Sequence, residues 1–583
     1  MSYLFECAIG PVQDFIATAR RSRDLRYGSG MLSELSKAAA NAIAKSGGQL
    51  VFPFTADMAN DLAAGSRFNT PNKIVAVTTS VPDVMAETAR NAIIARLHEL
   101  RDEAFGEIRT HPLFDRTLAN AQVDDLIEFY WASVQFNDNE GYAKARRMAE
   151  SVLSARKATR EFRQSVGDKK PKSSLDGARE SVIDEKAYPA PRDSAADKQR
   201  KAKVLFDRFK ARPAERLSGV DLLKRLGDSK SGEQSFPSTS GVAALPFLQY
   251  VDNNQKAGDR VRLFGEIAQF LANHDVIVDE PDGALVFSSR LAELIPDADK
   301  LKDVVNGIEK ILTTYAGKVR PLPYYALLIA DGDNMGAAID HQATFPDAQK
   351  RHSELSLVLS RFAAQVDDIV ESHQGALVYS GGDDIMAYLP LHTVLGCAHE
   401  LATRFADALS SFTANDGVAP TLSTGIAIVH HLEPLSDALD LARQAEKAAK
   451  GIDGKHALAI TASKRSGADR TISGKREVLK TRLDQMIQWR RSGAISAGAA
   501  YELQELERVL GPSELPKEAL AEEALRIINR KRETGGDRQI DTQVRDAFEK
   551  WIKIDKIKLQ DLTLELIVAS MFADAIDMAE GNL

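Results

Sequence analysis

Cysteine is almost absent from this sequence, and the usual marks of membrane and secreted proteins are missing. The 583 residues include two cysteines, Cys7 and Cys397, each in an apolar segment, so we expect core residues rather than a disulfide or metal ligands. No uninterrupted apolar run approaches the ~20 residues that cross a bilayer. Residues 1–7 lack the basic and long apolar regions of a signal peptide. These absences predict a cytoplasmic protein without a membrane partner.

An excess of positive charge is also lacking. The net charge is −8, so any contact with nucleic acid must be local rather than a general attraction. The chain is too long for one hydrophobic core, which predicts three or four domains. Its apolar fraction of 44% and charged fraction of 27% are ordinary for a globular protein.

Two apolar runs flank a short acidic turn, which we define as residues 381–384. Ala376–Tyr379 precedes Gly381, Gly382, Asp383 and Asp384, and Ile385–Leu389 follows them. This pattern predicts a β-hairpin in which both glycines adopt positive φ angles. The aspartates would lie at its tip, pointing to opposite faces because adjacent strand residues alternate. Asp and Gly are ordinary turn residues, so the hairpin alone does not identify a site.

A second acidic segment lies upstream, at the end of another apolar run. Residues 324–330 predict a buried central strand that ends in Asp331–Asn334, and residues 355–366 show helical spacing. Pairing this strand with the hairpin would bring Asp331 and Asp383 to one edge of a sheet. Converging carboxylates repel, so they imply bound cations or a raised pKa. Oxygen ligands alone suit Mg²⁺ or Mn²⁺.

Residues 1–142 have a similar order of elements without the acids. Strands are predicted at 3–9, 74–78 and 128–136, and the segment Gly10–Gln13 stands where the later copy has Asp331–Asn334. We therefore infer a degenerate internal repeat, with one copy equipped for chemistry.

Four arginines follow the first predicted helix: Arg20, Arg21, Arg23 and Arg26. One interpretation is a patch that faces RNA phosphates or a partner protein. The alternative, slightly favoured by composition, is a solvated helix end with cations at its C-terminus.

Residues 143–240 change in character, because Lys and Arg are dense and long apolar strands are absent. Residues 164–202 predict a mobile or loosely packed connection. Ser173–Asp176 and Ser218–Asp221 share a Ser-x-x-Asp spacing. With no Cys or His nearby they lack the ligands of a structural zinc site, so capping or turn formation is favoured.

The second repeat occupies residues 321–464, with a last strand predicted at 421–430 and a helix at 434–451. That helix carries Arg443, Glu446, Lys447 and Lys450. A lysine here would reach a triphosphate near the carboxylates, whereas a solvated face is the usual explanation for such residues. Residues 465–583 are helical in pattern and predict a small bundle that serves for docking.

Several segments together resemble one known family. They are Ile9–Ser29, Phe236–Ser240, Asp331–Gly336, Tyr379–Asp384 and Leu422–Ile428. In this order they resemble the large polymerase/cyclase subunit of type III CRISPR effector complexes, type III-B (Cmr) branch. The resemblance implies an α+β fold with two ferredoxin-like palm domains at 1–142 and 321–464. Between them it implies a degenerate, zinc-free region at 143–320, and after them a C-terminal helical domain at 465–583.

The resemblance also implies a reaction, nucleotidyl transfer. In the family, target RNA binding switches on synthesis of cyclic oligoadenylates from ATP. One of two Mg²⁺ or Mn²⁺ ions lowers the pKa of the attacking 3′-hydroxyl and the other stabilises the leaving pyrophosphate, with the ions roughly 4 Å apart. Phosphoryl transfer depends mostly on positioning and charge neutralisation, so no nucleophilic side chain is required.

The family's functional residues carry over to this sequence as expectations. The implied catalytic residues are Asp331, Asp383 and Asp384. Asp331 and Asp383 are the expected principal metal ligands, supported by Asp384, Asp333 and the carbonyl of Gly332. The expected nucleotide-binding residues are Ser380, Gly381, Gly382, Asn334 and Lys450. Other complex subunits, CRISPR guide RNA and target RNA are the implied partners.

Two departures from the family pattern lead to expected absences. Palm sequence begins at Tyr3, where relatives often have a histidine-aspartate nuclease domain, so no nuclease activity is expected. The two Ser-x-x-Asp segments stand where relatives carry paired Cys-x-x-Cys zinc ligands. We therefore expect a zinc-free remnant held by hydrogen bonds.

Two other functions compete with this interpretation. A diguanylate-cyclase-like enzyme shares the palm and a Gly-Gly-acid-acid hairpin, but Ile385-Met386 follows here instead of the phenylalanine typical of that family. A catalytically silent scaffold is the other alternative. The full set of crowded carboxylates argues against it, because such crowding is costly without a use.

Overall fold

The computed structural model describes residues 2–137, 139–159, 170–227, 236–254, 259–276, 278, 282–295, 297–465, 467–510, 517–530 and 542–582. The described chain is α+β and contains a four-stranded and a six-stranded sheet. No helix among these residues is long and apolar enough to cross a bilayer. Both cysteines are buried free thiols, which confirms the predicted core positions.

The first sheet has the order β2-β3-β1-β4 and is antiparallel throughout. Its strands are β1 (Ser2–Gly10), β2 (Gln49–Phe52), β3 (Lys73–Thr78) and β4 (Glu128–Phe136). The helices of this region are α1 (Gln13–Ala17), α2 (Ser22–Lys45), α3 (Met58–Asp61), α4 (Pro82–Ala104), α5 (Arg116–Asp124) and α6 (Asn139–Ala158). The sequence predicted three of the strands and missed the short β2.

The arginine segment lies at a break between two helices. Helix α1 ends at Ala17, and α2 begins at Ser22 and runs through Gly28, Ser29 and Gly30 to Lys45. The favoured prediction of cations at a helix C-terminus is therefore wrong, because Arg23 and Arg26 lie in the first turns of α2. Buried residues such as Leu25 and Leu32 pack α2 against the core. The stability gained from this packing exceeds the low helix propensity of the glycines.

The connecting region is largely helical. Its helices are α7 (Ala195–Phe209), α8 (Gly219–Gly227), α9 (Thr239–Asn254), α10 (Asp259–Asn273), α11 (Ser288–Leu294) and α12 (Ala298–Ala316), with short 3₁₀ turns at Glu185–Ala187 and Gly283–Val286. The predicted loose connection at 164–202 lies outside the described residues at 164–169. From residue 170 onward the prediction is wrong, since Val182, Ile183 and Tyr188 are buried in the main core.

The two Ser-x-x-Asp segments meet in this region. Asp221 Oδ2 accepts hydrogen bonds from the hydroxyls of Ser173 and Ser218, both at 2.7 Å, and from the Ser218 N–H at 2.9 Å. Asp176 instead caps its own turn, accepting from the N–H groups of Ala178 and Arg179. Hydrogen bonds thus join the two segments. The expected absence of zinc from this region stays a prediction.

The second sheet has the order β6-β7-β5-β8-β9-β10. Its strands are β5 (Tyr324–Asp333), β6 (Ala376–Ser380), β7 (Ile385–Leu389), β8 (Thr421–His430), β9 (Ala457–Ala462) and β10 (Arg470–Lys475). The helices are α13 (Met335–Gln342), α14 (Ala348–Ser372), α15 (Val394–Leu409) and α16 (Leu435–Lys450). All pairs are antiparallel except β8 with β9.

The two sheets share a core topology. The second, third, first and fourth strands of each repeat are neighbours in that order, as in a ferredoxin-like fold. This confirms the inferred internal repeat. The second sheet gains β9 and β10, and β10 extends it beyond residue 464, where the sequence predicted the domain boundary.

The last region is helical, as predicted. It comprises α17 (Arg476–Arg491), α18 (Ala497–Leu510), α19 (Lys517–Arg530), α20 (Thr542–Glu549), a π-helical turn at Lys550–Ile554, and α21 (Leu559–Glu580). Helix α21 packs on α9, α17 and α18. Its apolar residues join the same core as the second sheet.

The two repeats contact each other through α14. The N–H of Phe54 donates to Ser356 Oγ at 2.8 Å, and Ser360 Oγ donates to the carbonyl of Phe54 at 3.1 Å. Tyr142 on α6 hydrogen-bonds His352 on α14 at 2.9 Å. These contacts attach the acid-free repeat beside the helix that leads to the acidic turn.

Candidate active site

Strand β5 carries the first acid to the middle of the second sheet. Its apolar residues 325–328 are buried between β7 and β8, and Asp331 pairs with Ser423 of β8 near the strand's end. The side chain of Asp331 is 26% exposed. The predicted strand is confirmed, and it runs on to Asp333.

The acidic turn connects β6 and β7 as predicted, but only one of its glycines has a positive φ. Gly382 has φ +100°, whereas Gly381 does not adopt the left-handed region. Gly381 is required for space instead, because a Cβ there would lie 1.8 Å from the hydroxyl oxygen of Tyr379. The N–H of Gly381 closes the turn by donating to the carbonyl of Asp384 at 2.8 Å.

Asp383 lies against the backbone of β5. A Cβ built on Gly332 would be 2.8 Å from the Cβ of Asp383 and 3.3 Å from its Oδ2. The predicted approach of the acidic turn to the Asp331–Asn334 segment is therefore observed. Desolvation, reinforced by the charge of Asp384, raises the pKa of Asp383 to about 6.

Asp384 is the last residue of the acidic turn, directly before β7. Its side chain is exposed to solvent, yet enough protein surrounds it that desolvation raises the pKa of this carboxyl above its usual range. Raised pKa values in two adjacent aspartates indicate that their negative charge is under-compensated, as at many functional sites.

Helix α16 contributes a fourth acid, Glu446, near the acidic turn. The helical pattern of α16 predicts a solvated face for Glu446, but its side chain is only 19% exposed. Burial, with the charges of Asp384 and Asp333, raises the pKa of Glu446. The close approach depends on Gly425 of β8, where a Cβ would lie 2.0 Å from the backbone nitrogen of Glu446.

Lys450 lies one helical turn beyond Glu446 and forms an ion pair with Asp331. A second carboxylate oxygen, Oε1 of Glu446, is 3.4 Å from its Nζ. Burial, together with the charge of Lys455, lowers the pKa of Lys450. The predicted lysine therefore lies at the acids, where its ammonium offsets their charge.

Asp333 and Asn334 stabilise the strand end. Asp333 is fully buried, and its Oδ2 accepts from Thr421 at 2.9 Å, Ser423 at 2.8 Å and the N–H of His456 at 3.1 Å. Its Oδ1 has no hydrogen-bond partner in the described part of the chain. Asn334 has φ +60° and accepts from Lys455 Nζ at 3.3 Å. Asp333 thus offers at most one free oxygen as a supporting ligand.

Ser380 is not open to a ligand. Its side chain has 0% exposure, and its hydroxyl has no partner among the described residues. In this conformation the Ser380 side chain is therefore inaccessible to a nucleotide, so the expected contact cannot form.

Each of the four arginines has a partner within the chain. Arg20 donates to the carbonyl of Ser174 at 2.8 Å, and Arg21 is 3.4 Å from Glu215. Arg23 donates to the carbonyl of Phe236 at 3.4 Å, and Arg26 lies over the Phe236 ring. Burial, with the charge of Arg225, lowers the pKa of Arg21 to about 10. These contacts join α2 to the connecting region, and RNA binding by the arginines stays a prediction.

The acids fit divalent cations by chemistry, although they do not form a ready-made cage. No group of three His, Cys, Asp or Glu side chains converges at metal-binding distance within the described ranges. The donors are all oxygens, the pKa values of Asp383, Asp384 and Glu446 are raised, and a cationic ammonium already contacts Asp331. Such a set suits Mg²⁺ or Mn²⁺.

Comparison with known proteins places these segments in a family. Residues 324–459 match the model of the Cas10/Cmr2 second palm domain, and residues 4–102 match that of the N-terminal part of the CRISPR-associated protein Cmr2. The Cmr2 subunit of the CRISPR Cmr system of Pyrococcus furiosus is 32% identical over 194 residues. These two segments are therefore similar to the second palm and the N-terminal region of Cas10/Cmr2 proteins.

The match to that curated Cmr2 covers 30% of this chain and 22% of the relative, so the chain matches about a fifth of the relative's length. Two solved structures share the fold of this chain, type III-B Cmr-beta in the apo state and bound to cognate target RNA. The apo structure has a TM-score of 0.62 at 14% identity, and the RNA-bound structure has a TM-score of 0.63 at 13% identity. Each match covers 93% of this chain, and they cover 79% and 80% of the solved chains, respectively. At such identity the likeness concerns the fold alone.

Proposed function

We propose that this chain is the nucleotidyltransferase subunit of a type III-B CRISPR complex and makes a cyclic oligoadenylate-type messenger from ATP when target RNA binds. The observation that carries the proposal is the close approach of Asp383 to the backbone of Gly332, the residue after Asp331, in a segment similar to the Cas10/Cmr2 second palm. Lys450 is ion-paired with Asp331, and the charge of Asp384 acts on Glu446. The RNA-bound Cmr-beta structure of the same fold supports the choice of partners.

In this mechanism the protein's own groups bind and orient the nucleotides. Asp331, Asp383 and Asp384 would hold two divalent ions, which activate the attacking 3′-hydroxyl and stabilise the leaving pyrophosphate. Lys450 exchanges its ion pair with Asp331 for the triphosphate. Asp333, fixed by Thr421 and Ser423, keeps the end of β5 in place.

The test uses the assembled complex with ATP, Mg²⁺ and target RNA, and mass spectrometry of the products. We expect cyclic oligoadenylates from the wild type and none from Asp383→Ala/Asp384→Ala. Equal turnover in both proteins would remove the site assignment. Guanylate products in a parallel reaction with GTP would favour the diguanylate-cyclase-like alternative.

A silent scaffold is the second candidate, and one observation favours it. Lys450 already neutralises Asp331, one of the two expected principal metal ligands, by an ion pair within the chain. No cluster of three metal ligands forms among the described residues. No product from either protein, with complex assembly intact, would support this candidate.

A further inference from the structure

Strand β6 contains a bulge that redirects its last residues. The ladder with β7 pairs Leu377 with Ala387 and then Tyr379 with Met386, so Val378 is the extra residue. A bulge bends the strand and re-aims side chains, often next to an active site. Leu377 lies in the core of the second palm. Val378 and Tyr379, although consecutive, both contact the core that includes the first palm.

The redirected Tyr379 places its hydroxyl over the acidic turn. A Cβ on Gly381 would be 1.8 Å from this oxygen and 2.4 Å from Cζ, so the phenol fills the space that a side chain at 381 would need. Burial, together with the charges of Asp384 and Asp383, raises the pKa of Tyr379. The hydroxyl therefore keeps its proton and is a hydrogen-bond donor beside the acids.

This donor is not used within the described part of the chain, where no hydrogen bond from the Tyr379 hydroxyl is found. Two neighbouring tyrosines provide the contrast. The hydroxyls of Tyr325 and Tyr388 also have no partner among the described residues, but both residues have 0% exposure. Tyr379 is only half-buried. Two lysines of the site have partners within the chain, Lys450 with Asp331 and Lys455 with Asn334.

We propose that Tyr379 is a nucleotide-binding residue whose hydroxyl donates a hydrogen bond to a phosphate oxygen of the bound nucleoside triphosphate. The inference rests on the proposed function and adds to it a phosphate donor that comes from β6 rather than from α16. A neutral hydroxyl suits this position beside the aspartates. A lysine ammonium here would form an ion pair with the carboxylates, whereas the hydroxyl can donate directly to a phosphate oxygen.

The first experiment measures affinity without turnover. Wild type and Tyr379→Phe, each in the assembled complex with Mg²⁺, are titrated calorimetrically with an ATP analogue that cannot react at the α-phosphate. Loss of one hydrogen bond to a charged group predicts roughly ten-fold weaker binding. Phenylalanine keeps the ring's contact with the first-palm core, so the thermal unfolding midpoint should match that of the wild type.

Tyr388→Phe is the matched control. It removes an equally unpartnered hydroxyl from the adjacent strand, away from the acidic turn, and should leave the Kd unchanged. Titrations with inorganic tripolyphosphate and with adenosine identify the part of the nucleotide that is contacted. Tyr379→Phe should weaken tripolyphosphate binding and leave adenosine binding unaltered, and the opposite pattern overturns the phosphate contact.

The outcomes separate this inference from the proposed function. An unchanged Kd for the analogue in Tyr379→Phe overturns the inference even when the complex makes product. Tyr379-dependent binding without any product removes the proposed synthesis and retains the phosphate contact. Failure of the wild type to bind the analogue removes both.

Discussion

The backbone of Gly332 is in contact with the side chain of Asp383, so closely that a methyl group at 332 would lie 2.8 Å from the Asp383 Cβ and 2.8 Å from Met335 Cγ. Strand β5 and the acidic turn therefore lie so close together that no side chain fits between them at position 332. The position of Asp383 relative to Asp331 depends on this contact, which leads to the first prediction.

Gly332→Ala should displace Asp383 and reduce product formation by about 100-fold, the cost expected when a reacting group shifts by ~1 Å. Gly336→Ala is the control, since a Cβ there meets no atom within 4 Å. The measurement is the rate of cyclic product formation by the two variants in the assembled complex. Equal rates would show that the contact does not set the site's geometry.

The raised pKa of Asp383 predicts a gain in stability when its charge is removed. A carboxyl with a folded-state pKa of about 6 and a usual value of 3.8 binds its proton more tightly in the folded protein. Its contribution to stability is therefore lost as pH rises from about 4 to 6. In metal-free protein at pH 7.5, Asp383→Asn should raise the free energy of unfolding by up to about 3 kcal/mol.

Denaturant unfolding between pH 4 and 7.5 checks this prediction. The difference between Asp383→Asn and the wild type should shrink as pH falls through 6, and Mg²⁺ should stabilise only the wild type. A pH-independent difference would show that charge repulsion is not its cause.

Asp333 should behave as a structural residue in mutagenesis. Asp333→Ala leaves the donors Thr421, Ser423 and the His456 N–H without their acceptor, which should cost about 3 kcal/mol of stability. Asp333→Asn keeps an oxygen for those donors and should bind Mn²⁺ as the wild type does, measured by electron paramagnetic resonance. Loss of Mn²⁺ affinity in a folded Asp333→Asn protein would instead make Asp333 a metal ligand.

The Ser-x-x-Asp pair should stabilise the connecting region without zinc. Asp221→Ala removes the acceptor of the hydrogen bonds from Ser173 and Ser218 and should cost about 2–3 kcal/mol. Asp176→Ala, which alters a single turn, should cost less. Elemental analysis of purified protein should find no stoichiometric zinc. If the wild type contained stoichiometric zinc and Asp221→Ala did not, the prediction of a zinc-free region would be wrong.

Strand and helix positions around the site could be predicted because each element has a strong local pattern. The run at 324–330 is apolar throughout and became β5, the segment at 421–430 contains the apolar run 426–429 and became β8, and the spacing at 434–451 became α16. Helix α2 was misjudged because Gly28 and Gly30 look like a helix end, whereas tertiary burial decides the matter. Strands β9 and β10 were not predicted; β9 pairs with β8, and β10 pairs with β9 at the edge of the sheet.

The sequence by itself determined the candidates Asp331, Asp383 and Asp384, the repeat and the resemblance to Cas10/Cmr2 proteins, because each depends on residue identity and order along the chain. Only the tertiary structure decided which groups face the acids. Glu446 reaches the site because Gly425 lets α16 contact β8, and Tyr379 does so because a bulge turns it toward the first palm. Both depend on how closely separate elements approach, a distance that packing sets and that local sequence patterns do not contain.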